Sequence, residues 1–272
     1  MGKIEAVIFD WAGTTVDFGC FAPVQAFLEA FRAAGIEPTM EEVRKPMGML
    51  KRDHVKAMLS MPRISGLWKE AYGREFDEND VDEIYERTED GILSIVGDFA
   101  APKPYVTEAV KELRERGIKI GSTTGYTLDM MEIVAERARQ QGYEPDEWFC
   151  PDATDHKGRP YPYMIFKNMQ ALGVMSVHNV MKVGDTVADI KEGKNAGVIT
   201  VGVVEGSSVM GLTEEEFEKL GTAEYEEICA RTEKTYRDAG ADYVIRNMKE
   251  LTALIDRLAG GRGKNAGCLK QI

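Results

Sequence analysis

Five short runs of apolar, largely β-branched residues punctuate this chain, at positions 4–9, 118–122, 180–183, 198–203 and 242–245. Runs of that length, apolar on both faces, read as strands buried on both sides of a sheet, which is how parallel strands look. Parallel neighbours need crossover helices, and helical periodicity does fill the gaps, for example at 105–116, 188–195 and 248–258. The alternation predicts an α/β fold, a doubly wound parallel sheet with a Rossmann-like core.

About a hundred residues separate the first run from the second, and they carry helical periodicity at 21–34, 41–60, 64–72 and 79–95 without a convincing strand. An all-helical insertion is the economical reading. Its edges fall near Gly19 and residues 99–104, where small residues and prolines interrupt the pattern. Residues 1–18 and 101–272 are therefore expected to form one discontinuous core, and 19–100 a helical cap. A chain of 272 residues is long enough for both. The Gly-rich, polar stretch at 260–272 is expected to fray.

Composition narrows the function classes. The chain is 43% hydrophobic and 29% charged, ordinary for a packed protein. Its formal net charge is -12 and it has no run of five Lys or Arg, so nucleic acid is not an expected partner. A small phosphorylated ligand stays open, because backbone N–H groups, a cation or two and a metal ion can hold an anion inside an acidic protein. Cys20, Cys150, Cys229 and Cys268 are far apart and form no C-x-x-C pair, which points to a reducing, cytoplasmic setting rather than to zinc or disulfides. The N-terminus runs straight into a strand, and no stretch reaches the roughly 18 apolar residues of a membrane span, so no membrane association is expected.

The chemistry-bearing residues stand at the ends of the predicted strands, the edge where open α/β sheets bind ligands. Asp10 opens Asp10-Trp11-Ala12-Gly13-Thr14-Thr15, directly after the first strand. A carboxylate there can attack phosphorus while the backbone of the following turn faces a metal and the phosphoryl oxygens. A lone Asp-x-x-Gly is commonly just a capped turn. Three further signals argue otherwise. Thr124 and Gly125 offer a hydroxyl and an N–H to phosphate after the second strand, and Gly158-Arg159-Pro160 supplies a cation. Asp185 and Asp189, four residues apart in Gly184-Asp185-Thr186-Val187-Ala188-Asp189, bring carboxylates able to share a hard cation with Asp10.

Lys51 lies in the helical insertion, in Arg44-Lys45-Pro46-Met47-Gly48-Met49-Leu50-Lys51-Arg52-Asp53-His54. A lysine amine whose pKa is lowered by burial or by nearby cations condenses with carbonyl groups, and Arg52 and His54 are the local candidates for that lowering. Alone, the segment reads more readily as one of many exposed lysines of the insertion.

Taken in order, the four strand-end elements resemble the signature motifs of the haloacid dehalogenase superfamily. The resemblance implies Asp10 as nucleophile, Thr124 as phosphate-binding hydroxyl and Arg159 as the basic residue. It implies magnesium held by Asp10, the Ala12 carbonyl and Asp185, with Asp189 behind them. Ala12 departs from the pattern of the superfamily's phosphatases, which carry a second Asp two residues after the nucleophile to protonate a leaving alkoxide. Its absence argues against phosphate esters and for a leaving group that needs different help.

A closer resemblance runs from Ile4 to about Leu258. Val7-Ile8-Phe9-Asp10-Trp11-Ala12-Gly13-Thr14-Thr15-Val16-Asp17, Arg44-Lys45-Pro46-Met47-Gly48, Gly121-Ser122-Thr123-Thr124-Gly125-Tyr126 and Gly158-Arg159-Pro160-Tyr161-Pro162 are similar to strings of the phosphonoacetaldehyde hydrolases. That resemblance implies cleavage of a carbon–phosphorus bond, Lys51 as the Schiff-base lysine, and pocket roles for Cys20, Met47, Gly48, His54 and Tyr126. It further implies a cap that closes over the core and a homodimer formed through the caps. The rival readings are a phosphatase or sugar-phosphate mutase, opposed by Ala12, and a silent phosphonate-sensing module, opposed by the complete set of charged groups.

Overall fold

The computed structural model describes residues 3–260, so from residue 261 onward the expected tail, with Cys268, lies outside the described residues. Six strands, β1 (Ala6–Phe9), β2 (Lys119–Thr123), β3 (Glu147–Phe149), β4 (Val180–Gly184), β5 (Ile199–Val203) and β6 (Tyr243–Ile245), form one sheet in the order β3-β2-β1-β4-β5-β6. Every pairing is parallel. β3 was not expected. Its three residues sit at a half-buried sheet edge, too short to show a period.

The strand order reverses at β1, which pairs with β2 on one side and β4 on the other. Phe9 is level with both Ser122 and Val183. Asp10, Thr124 and Asp185 therefore leave the sheet side by side at its C-terminal edge, in the crevice where doubly wound sheets bind ligands.

Five helices fill the insertion: α1 (Phe21–Ala33), α2 (Met40–Arg44), α3 (Lys51–Leu59), α4 (Pro62–Tyr72) and α5 (Glu78–Ile95). They share an apolar cluster of their own around Phe27, Phe31, Val55, Met58, Leu59, Ile64 and Trp68. Capping boxes start α2 at Thr39 with Glu42 and α5 at Asp77 with Asp80, and Pro62 opens α4. The single helix expected at 41–60 is two helices joined by a loop at 45–50. Pro46 has no N–H to continue α2, and Gly48 takes φ +88°, which a helix excludes.

The core helices are α6 (Val106–Glu115), α7 (Leu128–Gln140), α8 (Tyr163–Ala171), α9 (Val187–Ala196), α10 (Glu214–Glu218), α11 (Thr222–Asp238) and α12 (Lys249–Gly260). The alternation of side chains along β1 distributes its residues between two layers. Val7 and Phe9 join the cluster that includes α6, α7 and α12, while Ala6 and Ile8 pack with α8.

Chain entry to and exit from the insertion meet at one point. The Asp17 carboxylate caps α1, accepting from Phe21 N–H (2.8 Å) and Ala22 N–H (3.0 Å). The Gly206 carbonyl accepts from Gly19 N–H (2.8 Å) and from Lys103 Nζ (3.0 Å), one group from each connection. Arg44 reaches from α2 to the Gly19 carbonyl (2.7 Å) and the core's Ser208 carbonyl (3.1 Å).

Candidate active site

After β1 the chain turns sharply around the Trp11 carbonyl, which accepts from the N–H groups of Thr14, Thr15 and Val16 at 3.0, 2.7 and 3.1 Å. Gly13 holds φ +86°, and a Cβ at that position would run into the Asp185 carboxylate, so the turn needs glycine twice over. The close approach puts Thr14 Oγ1 3.1 Å from Asp185 Oδ1 and 3.4 Å from Asp10 Oδ2. Ser208 N–H donates to Asp185 Oδ2 at 2.7 Å.

Asp10, Asp185 and Asp189 are all buried and offer oxygens within 4.8 Å of one another. Burial, with Asp10 and then Asp189 nearby, pushes the Asp185 carboxyl well above its ordinary range. Among the described residues no Lys or Arg forms an ion pair with Asp185. The mutually repelling carboxylates and the all-oxygen donor set suit a hard divalent cation.

Asp189 faces the other way. Its Oδ2 closes the capping box of α9, accepting from Thr186 Oγ1 (2.6 Å) and Thr186 N–H (3.1 Å). Its Oδ1 lies 3.1 Å from Arg159 Nη1 and 3.0 Å from Lys182 Nζ. Burial alone would raise this carboxyl, but Arg159 and Lys182 outweigh it and hold the group below its ordinary range. Asp189 thus stands behind the carboxylates of Asp10 and Asp185 with both its oxygens engaged. Arg159 Nη2 donates to Asp10 Oδ1 at 2.6 Å, so the fixed cation touches the strand-end carboxylate directly.

One small cavity, about 20 Å³, is lined by Asp10, Ala12, Cys20, Pro23, Met47, Gly48, Lys51, Thr124, Gly125, Tyr126, Arg159 and Thr186. The expected pocket residues therefore converge on a single space between the insertion and the sheet edge, apart from His54 and the carboxylates of Asp185 and Asp189. Thr124 Oγ1 accepts from Tyr126 N–H at 3.0 Å, which leaves its own O–H to donate. The loop at 45–50 rests on the core here: a Cβ on Gly125 would lie 3.1 Å from the Met49 carbonyl, and one on Gly48 2.5 Å from Thr186 Oγ1.

Lys51, at the start of α3, is 5% exposed, with Nζ 4.9 Å from the centre of the Tyr126 ring and 5.9 Å from that of Phe27. Burial lowers its pKa, and Arg159 adds to the lowering against the opposing pull of Cys20 and Asp10. The sequence expectation that Arg52 does this is corrected. Arg52 points outward into ion pairs with Glu78 (2.9 Å) and Asp82 (2.6 Å). His54 sits one layer back, stacked on Phe27 at 3.8 Å, with Nε2 2.8 Å from the Val43 carbonyl. A carbonyl only accepts, so Nε2 carries the proton and Nδ1 keeps its lone pair. Burial and then Lys51 hold His54 well below its ordinary pKa, hence neutral. Burial also pushes up the Cys20 thiol and the Tyr126 phenol, keeping both protonated.

Residues 4–197 match the haloacid dehalogenase-like hydrolase family. Over 256 residues, 94% of this chain and 95% of the relative, it is 52% identical to the phosphonoacetaldehyde hydrolase of Lysinibacillus sphaericus (strain C3-41). Identity to the phosphonoacetaldehyde hydrolase of Bacillus cereus (strain G9842) is 51% over 94% of this chain and 97% of the relative. The crystal structure of a phosphonoacetaldehyde hydrolase-like protein from Oleispira antarctica superposes with a TM-score of 0.91 at 38% identity, covering 97% of this chain and 96% of that one. The chain belongs to the phosphonoacetaldehyde hydrolases of the haloacid dehalogenase-like family.

It is accordingly a hydrolase. Beside the residues expected in such a site stand four that sequence reading passed over. Thr14 contacts two of the carboxylates. Thr123, Lys182 and Glu192 surround Arg159. A signal existed for Lys182, since a lysine inside an otherwise apolar strand is anomalous. Glu192 is one helical turn beyond Asp189 and so shares its face.

Proposed function

We propose that this chain hydrolyses phosphonoacetaldehyde to acetaldehyde and phosphate. The observation that carries the reading is Lys51: a buried amine with a lowered pKa, against aromatic rings, in the same cavity as Asp10 and Arg159. Ala12 supports it, because the cavity has no carboxylic acid there to protonate a leaving alkoxide. The names of the relatives support the substrate.

Lys51 Nζ adds to the aldehyde carbon and water leaves, forming a protonated imine. Asp10 attacks phosphorus, and the carbon–phosphorus electron pair moves into the imine to give an enamine. Protonation at carbon and hydrolysis release acetaldehyde and return Lys51. A second water hydrolyses the aspartyl phosphate. Thr124 O–H and Arg159 hold the phosphonyl oxygens, and the neutral His54 behind Phe27 keeps further positive charge away from the amine. Asp10, Asp185 and the Ala12 carbonyl would hold magnesium, which when bound screens the repulsion between Asp10 and the phosphonate.

The cavity has room on the order of one water molecule. Residues 19–100 therefore act as a cap that swings away to admit substrate. A homodimer formed through the insertion belongs to the same reading. The separate, buried thiols of Cys20, Cys150 and Cys229 support a cytoplasmic setting, and no described helix is long and apolar enough to cross a membrane.

Borohydride added during turnover tests the reading. It should reduce the imine, inactivate the enzyme and leave a two-carbon adduct on the peptide that contains Lys51. Lys51→Arg should bind the phosphonate, give no adduct and release almost no phosphate, because a guanidinium stays protonated and is a poor nucleophile. Substantial turnover by the arginine variant would overturn the assignment.

A further inference from the structure

Lys182 is a buried charge to which the chemistry above gives no part. It sits in β4 between Met181 and Val183, and its side chain is 0% exposed. Burying an ammonium is costly unless it is paired, so this position needs a reason beyond packing. Nζ donates to Thr123 Oγ1 at 2.6 Å and lies 3.0 Å from Asp189 Oδ1 and 3.3 Å from Glu192 Oε2.

Those partners also hold Arg159. Its Nε lies 3.1 Å from Glu192 Oε2, its Nη1 3.1 Å from Asp189 Oδ1, and its Nη2 donates to Thr123 Oγ1 at 2.9 Å and the Thr123 carbonyl at 2.8 Å. Thr123 Oγ1 accepts from both cations and donates to Glu192 Oε2 at 3.0 Å, which uses its whole hydrogen-bonding capacity. Two cations thus share two carboxylates and one hydroxyl, and the cluster is neutral. Of the two cations, Arg159 is the one that reaches beyond it, through the Nη2 that meets Asp10 at 2.6 Å.

We infer that Lys182 and Glu192 are positioning residues for Arg159. Glu192 fixes the Nε edge of the guanidinium. Lys182 offsets the second carboxylate, so that Arg159 is gripped from behind without being drawn off Asp10. Without Lys182, Asp189, Glu192 and Asp10 compete for one guanidinium. The site also gains a net negative charge where a phosphonate dianion has to dock. The buried setting leaves that charge poorly screened. Glu192→Gln keeps an acceptor for Nε while removing one negative charge, so it compensates for loss of the lysine.

This inference rests on the proposed roles of Asp10 and Arg159 in phosphoryl transfer, and the experiment separates the two. Lys182→Met, Glu192→Gln and the double variant are compared for phosphate release, for borohydride trapping at Lys51, and for calorimetric binding of orthovanadate. We expect Lys182→Met to lose roughly 10- to 100-fold in kcat and to bind vanadate more weakly, while imine trapping persists, because Lys51 lies outside the cluster. Adding Glu192→Gln should recover most of both losses. A merely structural lysine would not separate trapping from phosphate release.

The inference is overturned by a folded Lys182→Met with wild-type kcat and vanadate affinity. It is also overturned by a folded double variant whose loss is the product of the single ones. If Lys182→Met does not fold, the double variant, neutral again, decides: near wild-type turnover supports the inference, and a folded inactive protein overturns it. Absence of a trapped imine in the wild type would count against the phosphonate reading alone, and the vanadate affinities would still decide the role of Lys182.

Discussion

Ala12 lines the cavity two residues past Asp10, on the turn that Gly13 allows to lie against Asp185. A carboxylate installed there would add negative charge beside Asp10 and Asp185, where Asp185 is already pushed up by burial and its neighbours. On the proposed reaction a carbon leaving group would have no use for it, since its electrons would go into the imine. Ala12→Asp should therefore lower kcat/KM for the phosphonate by ~10-fold or more, a positioned acid being worth about 100-fold or more only where it has a proton to transfer. Steady-state phosphate release checks this, and faster cleavage would mean that Ala12 has been misread. At this scale the sequence was legible where chemistry sits next to backbone: Asp10, Thr124 and Asp185 each end a strand. It was not legible where the deciding neighbour is remote. The environment of Lys51 comes from Tyr126, 75 positions away, and from Arg159 rather than from the adjacent Arg52.

The loop between α2 and α3 does what neither helix can. Pro46 ends α2, Gly48 turns the chain at φ +88°, and Met47 and Gly48 reach the cavity that Lys51 enters from the first turn of α3. Gly48→Ala would pay twice, in backbone strain of about 1–2 kcal/mol and in a Cβ pressed against Thr186 at the start of α9. We expect a small fall in melting temperature with a disproportionate loss of kcat/KM, because the contact that fails joins the insertion to the core rather than holding either together. Unchanged kinetics with a lowered melting point would argue that the loop merely connects. Helical periodicity cannot reveal such a break. The apolar positions of 41–60 keep their spacing across it, and only proline and a lone glycine mark it. β3 was missed for the converse reason, since Glu147, Trp148 and Phe149 are half-buried at an edge and supply no alternation to read. β1, β4 and β5 were legible because burial on both faces leaves them mostly apolar.

Across the whole molecule, Asp10 and Asp185 come together only when β1 and β4 are assembled, so a metal bound at the proposed site would stabilise the folded chain over the unfolded one. Magnesium at about 100 times its Kd contributes ~2.7 kcal/mol, which for a chain of this size raises the melting temperature by roughly 5–10 °C. Asp185→Asn should abolish that rise and, in chelator, be no less stable than the wild type, because the amide keeps an acceptor for Ser208 N–H and removes a charge that burial, Asp10 and Asp189 disfavour. Melting curves that ignore magnesium in both proteins would exclude the site. The insertion adds a second kind of wholeness. Its entry at Gly19 and its exit at Lys103 are fastened to the same Gly206 carbonyl, so both ends of the insertion meet the core at one place. An ancestor could lengthen, shorten or exchange the helices between those two residues without disturbing the pairing of a single strand. On the proposed reaction, the imine would form on a lysine of the helices beyond Gly19 and phosphorus would be attacked from the ends of the strands, so the two halves of the chemistry would lie on opposite sides of that junction.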